Sequence, residues 1–348
     1  MKKLFVLFII VLFAAPAMAV DWNFYGSARM ATFWADTDLG DGTTTAGDDD
    51  DANLQWDLQG NSRLGANVKA EAVKGQVEFG INEATVTSRR IYGTWNFGPA
   101  TLKVGKDYTP VKQFISGQAF NADLGLLGVG AAYGGRNGQL ALSFGGFEIA
   151  LITENTDTKG LLGGEIDTTV PKIEAAYGMG FDMFSFKVNA GYQTYEVEGT
   201  NDDIDVDSYT VGLDVGVNFG AGYLKGAVNY GENVGDAGWH IPGNVSQGGI
   251  STLNAAGDDI DDVETLQWAL IGGWKFTDMI SFEAGFGWRE DSPDGNGLED
   301  DDVWSAYAQL PLVLAPGVYV IPEFGYYDFG EGFQIDDQGS ETYFGAKW

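Results

Sequence analysis

The sequence predicts an all-β protein, a 16-stranded antiparallel transmembrane β-barrel. Three observations carry that expectation. The chain divides into about sixteen short amphipathic stretches. Tight turns and long acidic loops alternate between them, as a barrel with one short-turn rim and one long-loop rim requires. The final run Glu341-Thr342-Tyr343-Phe344-Gly345-Ala346-Lys347-Trp348 alternates to a terminal aromatic, which suits a closing strand anchored at a membrane interface.

The barrel is expected over residues 20–348 as a single domain, behind a secretory signal over 1–19. Lys2 and Lys3 supply the positive start of that signal, residues 4–15 its apolar segment and Ala17-Met18-Ala19 its cleavage pattern. That apolar segment is too short for a spanning helix, and no later run approaches about 18 apolar residues. Cysteine is absent, which excludes disulfides and thiolate metal sites. The 51 glycines and the 14 % aromatic content suit tight turns and membrane girdles. The net charge of −31 argues against nucleic acid, whose phosphates it would repel.

In chain order, strands are expected over 23–34, 62–71, 76–82, 90–97, 101–107, 139–144, 147–154, 172–177, 184–196, 208–219, 223–231, 266–276, 280–289, 304–314, 317–329 and 342–348. The tight turns are placed at Lys74-Gly75, Gly98-Pro99, Gly145-Gly146, Gly220-Ala221, Thr277-Asp278 and Ala315-Pro316, each after an even-numbered strand. Both termini then fall on the short-turn side. A β-sandwich would not sort its connections by length in this way.

Successive side chains in a strand point to opposite faces. Phe24, Ala28, Met30 and Trp34 therefore share one face of the first strand, against Asn23, Tyr25, Ser27 and Arg29. In the second, Leu64, Ala66, Val68 and Ala70 oppose Arg63, Asn67, Lys69 and Glu71; in the fourth, Ile91, Trp95 and Phe97 oppose Arg90, Tyr92, Thr94 and Asn96. Fully charged faces in a membrane barrel belong in a wet interior. The same parity sends Trp34 and Trp95 to lipid as interfacial girdle residues, and Trp22, Phe97, Trp274 and Trp348 are read with them, a sugar-stacking track in the lumen being the alternative for these four.

The runs Phe24-Tyr25-Gly26-Ser27-Ala28-Arg29, Ser62-Arg63-Leu64-Gly65-Ala66-Asn67, Arg90-Ile91-Tyr92-Gly93-Thr94-Trp95-Asn96-Phe97-Gly98 and Leu102-Lys103-Val104-Gly105-Lys106-Asp107-Tyr108-Thr109-Pro110 resemble, in order and spacing, the general diffusion porins of Gram-negative bacteria. The resemblance covers essentially the whole mature chain. It implies a loop after the fifth strand that folds inward, here residues 108–137, and a homotrimer. It also implies a constriction with arginines on the wall facing acids on that loop. Carried over, the wall is Arg63 and Arg90 with Arg29, Arg136 and Lys69, and the inserted loop contributes Asp107, Lys112 and Asp123. The chain departs from the pattern in three places. Only one carboxylate stands in the run 122–128, the connection 83–89 is short for a latch onto a neighbouring subunit, and Trp348 replaces the usual phenylalanine.

Competing readings remain for the acidic runs. Asp48, Asp49, Asp50 and Asp51, and Asp258, Asp259, Asp261 and Asp262, are candidates for loosely bound Ca²⁺ or Mg²⁺, which take oxygen ligands. A solvated charged rim is the plainer alternative, and none of these runs has EF-hand spacing. No cofactor beyond such ions is expected. The only histidine, His240, sits in a long loop, and no serine is paired with a base by any spacing argument, so no enzyme is expected.

The functional expectation is a passive channel for small hydrophilic solutes and ions in the bacterial outer membrane, in contact with lipid and lipopolysaccharide. A channel with a saturable site for a sugar or an oxyanion is the alternative. The excess of carboxylates predicts a mild cation preference.

Overall fold

The computed structural model describes residues 20–38, 40, 52–154, 165–198, 203–239, 248–254, 256–295, 297–333 and 337–348. The expected signal segment, Asp48 to Asp51 and His240 lie outside the described residues. No helix among them is long and apolar enough to cross a membrane.

The wall begins with β1 (Asp21–Ser27) and β2 (Met30–Asp38), which lie antiparallel to β4 (Arg63–Ala70) and β3 (Asn53–Leu58). The breaks in these two staves face each other. Gln59 donates its amide to the Arg29 carbonyl at 2.8 Å, and the Arg29 amide donates to the Ser62 hydroxyl at 2.9 Å. The wall continues through β5 (Val73–Ile81), β6 (Val86–Asn96), β7 (Thr101–Tyr108), β8 (Arg136–Phe144) and β9 (Phe147–Ile152). β10 (Ile166–Asp167) and β11 (Lys172–Gly180) share one stave, followed by β12 (Phe184–Val197), β13 (Ile204–Phe219) and β14 (Gly222–Glu232). A small hairpin, β15 (Thr252–Leu253) with β16 (Ile260–Asp261), stands apart from the wall.

β17 (Val263–Lys275), β18 (Ser281–Pro293), β19 (Asp301–Gln309), β20 (Leu312–Ala315), β21 (Val318–Asp328) and β22 (Ser340–Lys347) complete it. β19 and β20 both pair with β21; Pro311, which lacks an amide donor, marks the break between them. β22 pairs with β2 in the register Ala31 to Lys347, so the ladder returns to its first strand. With the interrupted segments joined, the pairings among the described residues pass through sixteen staves. Among the described residues each stave then has a paired neighbour on both sides, as a sheet in lipid requires.

Alternation is clearest in β13. Val211, Leu213, Val215 and Val217 are exposed on the outside, while Ser208, Thr210 and Gly212 are buried inside. Trp22, Trp34, Trp95, Phe97, Trp274 and Trp348 are all exposed, as the girdle reading requires. A further outer track runs from Trp268 to Phe286, Trp304 and Tyr326, with successive ring centroids 5.3, 5.8 and 5.1 Å apart across four neighbouring strands.

The structure corrects several boundaries. The second stave reaches back to Asn53, into the expected acidic loop, because residues 53–58 pair with β2. Lys74 and Gly75 belong to β5; the turn is at Glu71 and Ala72, with Glu71 at a φ of 43°. Pro316 and Gly317, rather than Ala315 and Pro316, turn between β20 and β21. Asp205 and Asp207 lie in β13, and Asp301 and Asp302 in β19, so these carboxylates stand at strand ends.

Candidate functional site

The connection from β7 to β8 folds across the lumen. Its bounds are 109–135, since Tyr108, Arg136 and Asn137 are paired within β7 and β8. Its route is fixed by hydrogen bonds to the wall, most of them from loop backbone amides to inward side chains. The Val111 amide donates to Glu174 on β11 at 2.8 Å. Gln113 donates to the Val228 carbonyl of β14 at 3.1 Å, and the Gly117 amide to Glu283 on β18 at 2.7 Å. The Ala119 and Phe120 amides donate to the two oxygens of Glu323 on β21 at 2.6 and 3.0 Å. Polar residues on the inner face thus satisfy loop amides that would otherwise be buried without partners.

At the tip, α1 (Phe120–Asp123) is a single turn in which Asn121, Ala122 and Asp123 adopt positive φ of 49°, 59° and 63°. Non-glycine residues rarely hold that conformation, and packing sustains it here. Phe120 stacks on Tyr343 at 3.7 Å between centroids and meets Phe33 edge-on at 5.3 Å. Asp123 accepts from Arg29 at 2.5 Å, from Asn61 at 2.7 Å and from Lys347.

Across from this tip remains an opening of about 460 Å³. Asn61, Arg63, Arg89, Tyr108 and Arg136 line its wall side; Phe114, Asp123, Leu124, Leu127 and Tyr133 belong to the loop side. The arginines outnumber the acids. Glu78 serves Arg89 at 2.9 Å and Arg63 at 3.8 Å. Arg136 has no carboxylate partner among the described residues and donates instead to the Tyr108 hydroxyl at 3.2 Å, with its guanidinium 5.2 Å from that ring. Arg89 reaches the same hydroxyl at 3.4 Å. Below them Arg90 pairs with Asp107 at 2.6 Å, and Lys103 bridges Asp107 at 3.2 Å and Glu148 at 2.9 Å.

The expected site residues are therefore distributed as follows. Arg63 and Arg136 line the opening, Arg90 stands beside it, and Arg29 reaches it only through Asp123. Lys69 does not join them. It lies six residues along β4 from Arg63, roughly 20 Å at strand rise, opposite Asp21 and Lys74 near the short-turn rim. Asp107 is not on the inserted loop; it lies in β7, because pairing with β8 runs through Tyr108. Lys112 is on the loop and donates to the Thr109 carbonyl at 3.1 Å, with burial holding its pKa below the usual lysine value.

Alternation could not have found Arg89, which neighbours Arg90 in sequence. A β-bulge opposite Glu78 and Phe79 lets both arginines serve inward acids. Among the described residues no three acidic or histidine side chains converge as a metal site. Asp258 accepts from the Asn254 amide group at 3.0 Å, Asp259 from the Ile260 amide at 2.9 Å and Asp262 from Asn233 at 2.7 Å, while Asp261 is in β16.

Comparison with known proteins agrees with this architecture. The outer-membrane channel DcaP of Acinetobacter baumannii superposes with a TM-score of 0.73 at 17 % identity, covering 94 % of this chain and 97 % of that one. The anion-selective porin from Comamonas acidovorans gives 0.66 at 14 % identity, covering 94 % and 99 %. OmpF of Salmonella typhi gives 0.57 at 12 % identity, covering 94 % and 97 %. No curated protein matches in sequence. Residues 6–332 match the Gram-negative porin family, so with its returning ladder and its loop folded through the lumen the chain belongs to that family.

Proposed function

We propose that the opening between the inserted loop and the arginine wall is the permeation route of this porin, and that its surplus of arginine makes it prefer anions. As a porin the protein is an outer-membrane channel for the passive diffusion of small hydrophilic solutes. The observation that carries the finer reading is the imbalance at the opening. Arg63 and Arg89 share Glu78, Arg136 has no acidic partner among the described residues, and Asp123 opposite is already held by Arg29 and Lys347. Charged rings at a narrow point set ion preference, and low-dielectric walls strengthen their field there. The acids that favour cations stand at outer strand ends, where salt screens them within about 8–10 Å. The proposal therefore reverses the mild cation preference expected from composition.

The proposal includes a homotrimer, a leader removed on export, loose association of lipopolysaccharide and divalent cations with the acidic rim, and no catalysis. The trimer rests on family membership and the rim associations on carboxylate density alone. The test is single-channel recording of refolded protein in a planar bilayer under a salt gradient. A reversal potential of anion-selective sign is expected, with Arg63→Ala plus Arg89→Ala moving it toward cations. An unchanged potential in the double variant would remove the arginines from the route.

A second reading, a saturable site for a sugar or an oxyanion in the same opening, draws on Phe114. That ring is half exposed to the lumen, 5.1 Å from Tyr108 and 5.7 Å from Tyr133. Current block that saturates with added solute would favour it over a general pore.

A further inference from the structure

A second segment also enters the lumen. After β14 the chain turns back at Asn233, and residues 233–239 pack inward, with Val234, Ala237 and Trp239 buried against Val111 and Ala132 of the inserted loop. The two segments are joined by backbone, the Tyr133 amide donating to the Trp239 carbonyl at 3.3 Å. They are also joined through one carboxylate on β11. One oxygen of Glu174 accepts from the Trp239 indole at 2.8 Å and the other from the Val111 amide at 2.8 Å. Lys172, two residues away on the same face, lies 3.7 Å from Glu174, donates to the Ala237 carbonyl at 2.9 Å and sits 5.5 Å over the indole. Both charged side chains are fully buried. Gly191 on β12 makes room for the ring, for a Cβ there would come within 2.4 Å of it.

The wall around this junction differs from the wall at the arginines. Asn189, Ser208, Thr210, Asn229, Gln267 and Ser305 point inward from β12 to β19 and are polar, the composition of a water-lined lumen, yet all are at most 2 % exposed. Arg63 and Arg90 retain about a quarter of their side-chain surface. Two interlocked segments thus cover one side of the lumen, and the opening lies on the other.

We infer that Trp239 and Glu174 are positioning residues of the channel. They bolt segment 233–239 onto the inserted loop, close the β11 to β19 side and confine passage to the arginine-lined opening. The inference rests on that opening being the route. An indole suits the task because its face fills the space beside Gly191 while its N–H reaches Glu174. The bolt acts by closing an alternative passage, and removing it exposes uncharged polar groups and cations already paired with acids, Lys172 with Glu174 and Arg289 with Asp291, in place of the arginine surplus.

The test uses the full chain, refolded and inserted in bilayers and liposomes. Trp239→Ala is expected to raise single-channel conductance by about twofold, admit larger sugars in liposome swelling and move the reversal potential toward cations. Trp239→Phe keeps most of the ring and loses the hydrogen bond, so a smaller change in the same direction is expected. Gly191→Ala displaces the ring with Trp239 intact; it should act like Trp239→Ala and decides the matter where that variant fails to insert. Wild-type conductance and sugar cut-off in the inserting variants overturn the inference. With Arg63→Ala plus Arg89→Ala as the control, a shifted potential there beside unchanged Trp239 and Gly191 variants removes the bolt and keeps the route. An unchanged potential in that control removes the route, and the inference with it.

Discussion

Asp107 illustrates how a single side chain holds the arginine wall together. It is almost fully buried and accepts from Arg90 at 2.6 Å and Lys103 at 3.2 Å. Removing its charge leaves two cations with one fewer partner, which costs about 1–3 kcal/mol when the remaining groups are desolvated. Asp107→Asn is expected to insert with lowered resistance to urea and with a reversal potential moved further toward anions. A denaturation series in vesicles and a salt-gradient recording measure the two effects separately. The signal that Arg63 and Arg90 point inward is present in the sequence as alternation. Arg89 carries no such signal, because its direction depends on a bulge that the partner strand creates.

At the scale of the element, the inserted loop is an irregular chain made rigid by borrowed partners. Glu174, Gln267, Glu283 and Glu323 come from four different strands, and each accepts from a loop amide. The tip is further fixed by Phe120 between Tyr343 and Phe33. Truncating a buried aromatic of this kind costs about 3–5 kcal/mol. Because the loss falls on the loop tip rather than on the ladder, Phe120→Ala is expected to insert and conduct, with added current noise from a loosened constriction. Quiet wild-type traces from this variant would show that the tip is held by Asp123 and Glu323 alone. Gly130 makes a similar point for the backbone. At a φ of 106° its added Cβ would meet the Trp268 carbonyl oxygen at 2.4 Å, so only glycine lets the loop lie this close to β17.

At the scale of the molecule, stability depends on the seam where the ends of the chain meet. Trp348 and Met30 exchange backbone hydrogen bonds at 2.9 and 3.0 Å, and the Trp348 indole donates to Thr32 at 3.0 Å. Outside the seam Trp34 stacks on Phe344 at 5.3 Å. An open seam would leave a row of unsatisfied backbone groups in hydrocarbon, each costing several kcal/mol. Deleting residues 340–348 is therefore expected to abolish insertion, whereas Trp348→Phe, which keeps the backbone pair and an interfacial ring, should insert like the parent. Heat-modifiable migration on gels reports the folded fraction of each.

The sequence by itself determined the closed antiparallel wall, the positions of its staves and the direction of most side chains. These follow from a two-residue period and from turn chemistry, both of which are local. It also placed Arg29, Arg63 and Arg90 on the inward face and Trp34 and Trp95 outside, whereas Arg136 came only from the family resemblance. Tertiary structure decided what fills the lumen. Whether residues 109–135 lie along one side of the wall, whether 233–239 join them, and which arginines keep an acidic partner depend on contacts between residues far apart in the chain. Glu174 and Val111 are 63 residues apart, and Lys347 and Asp123 are 224. No local pattern encodes such pairs. They form because amides and charges inside a closed wall must find partners, and the wall supplies them only once it has closed.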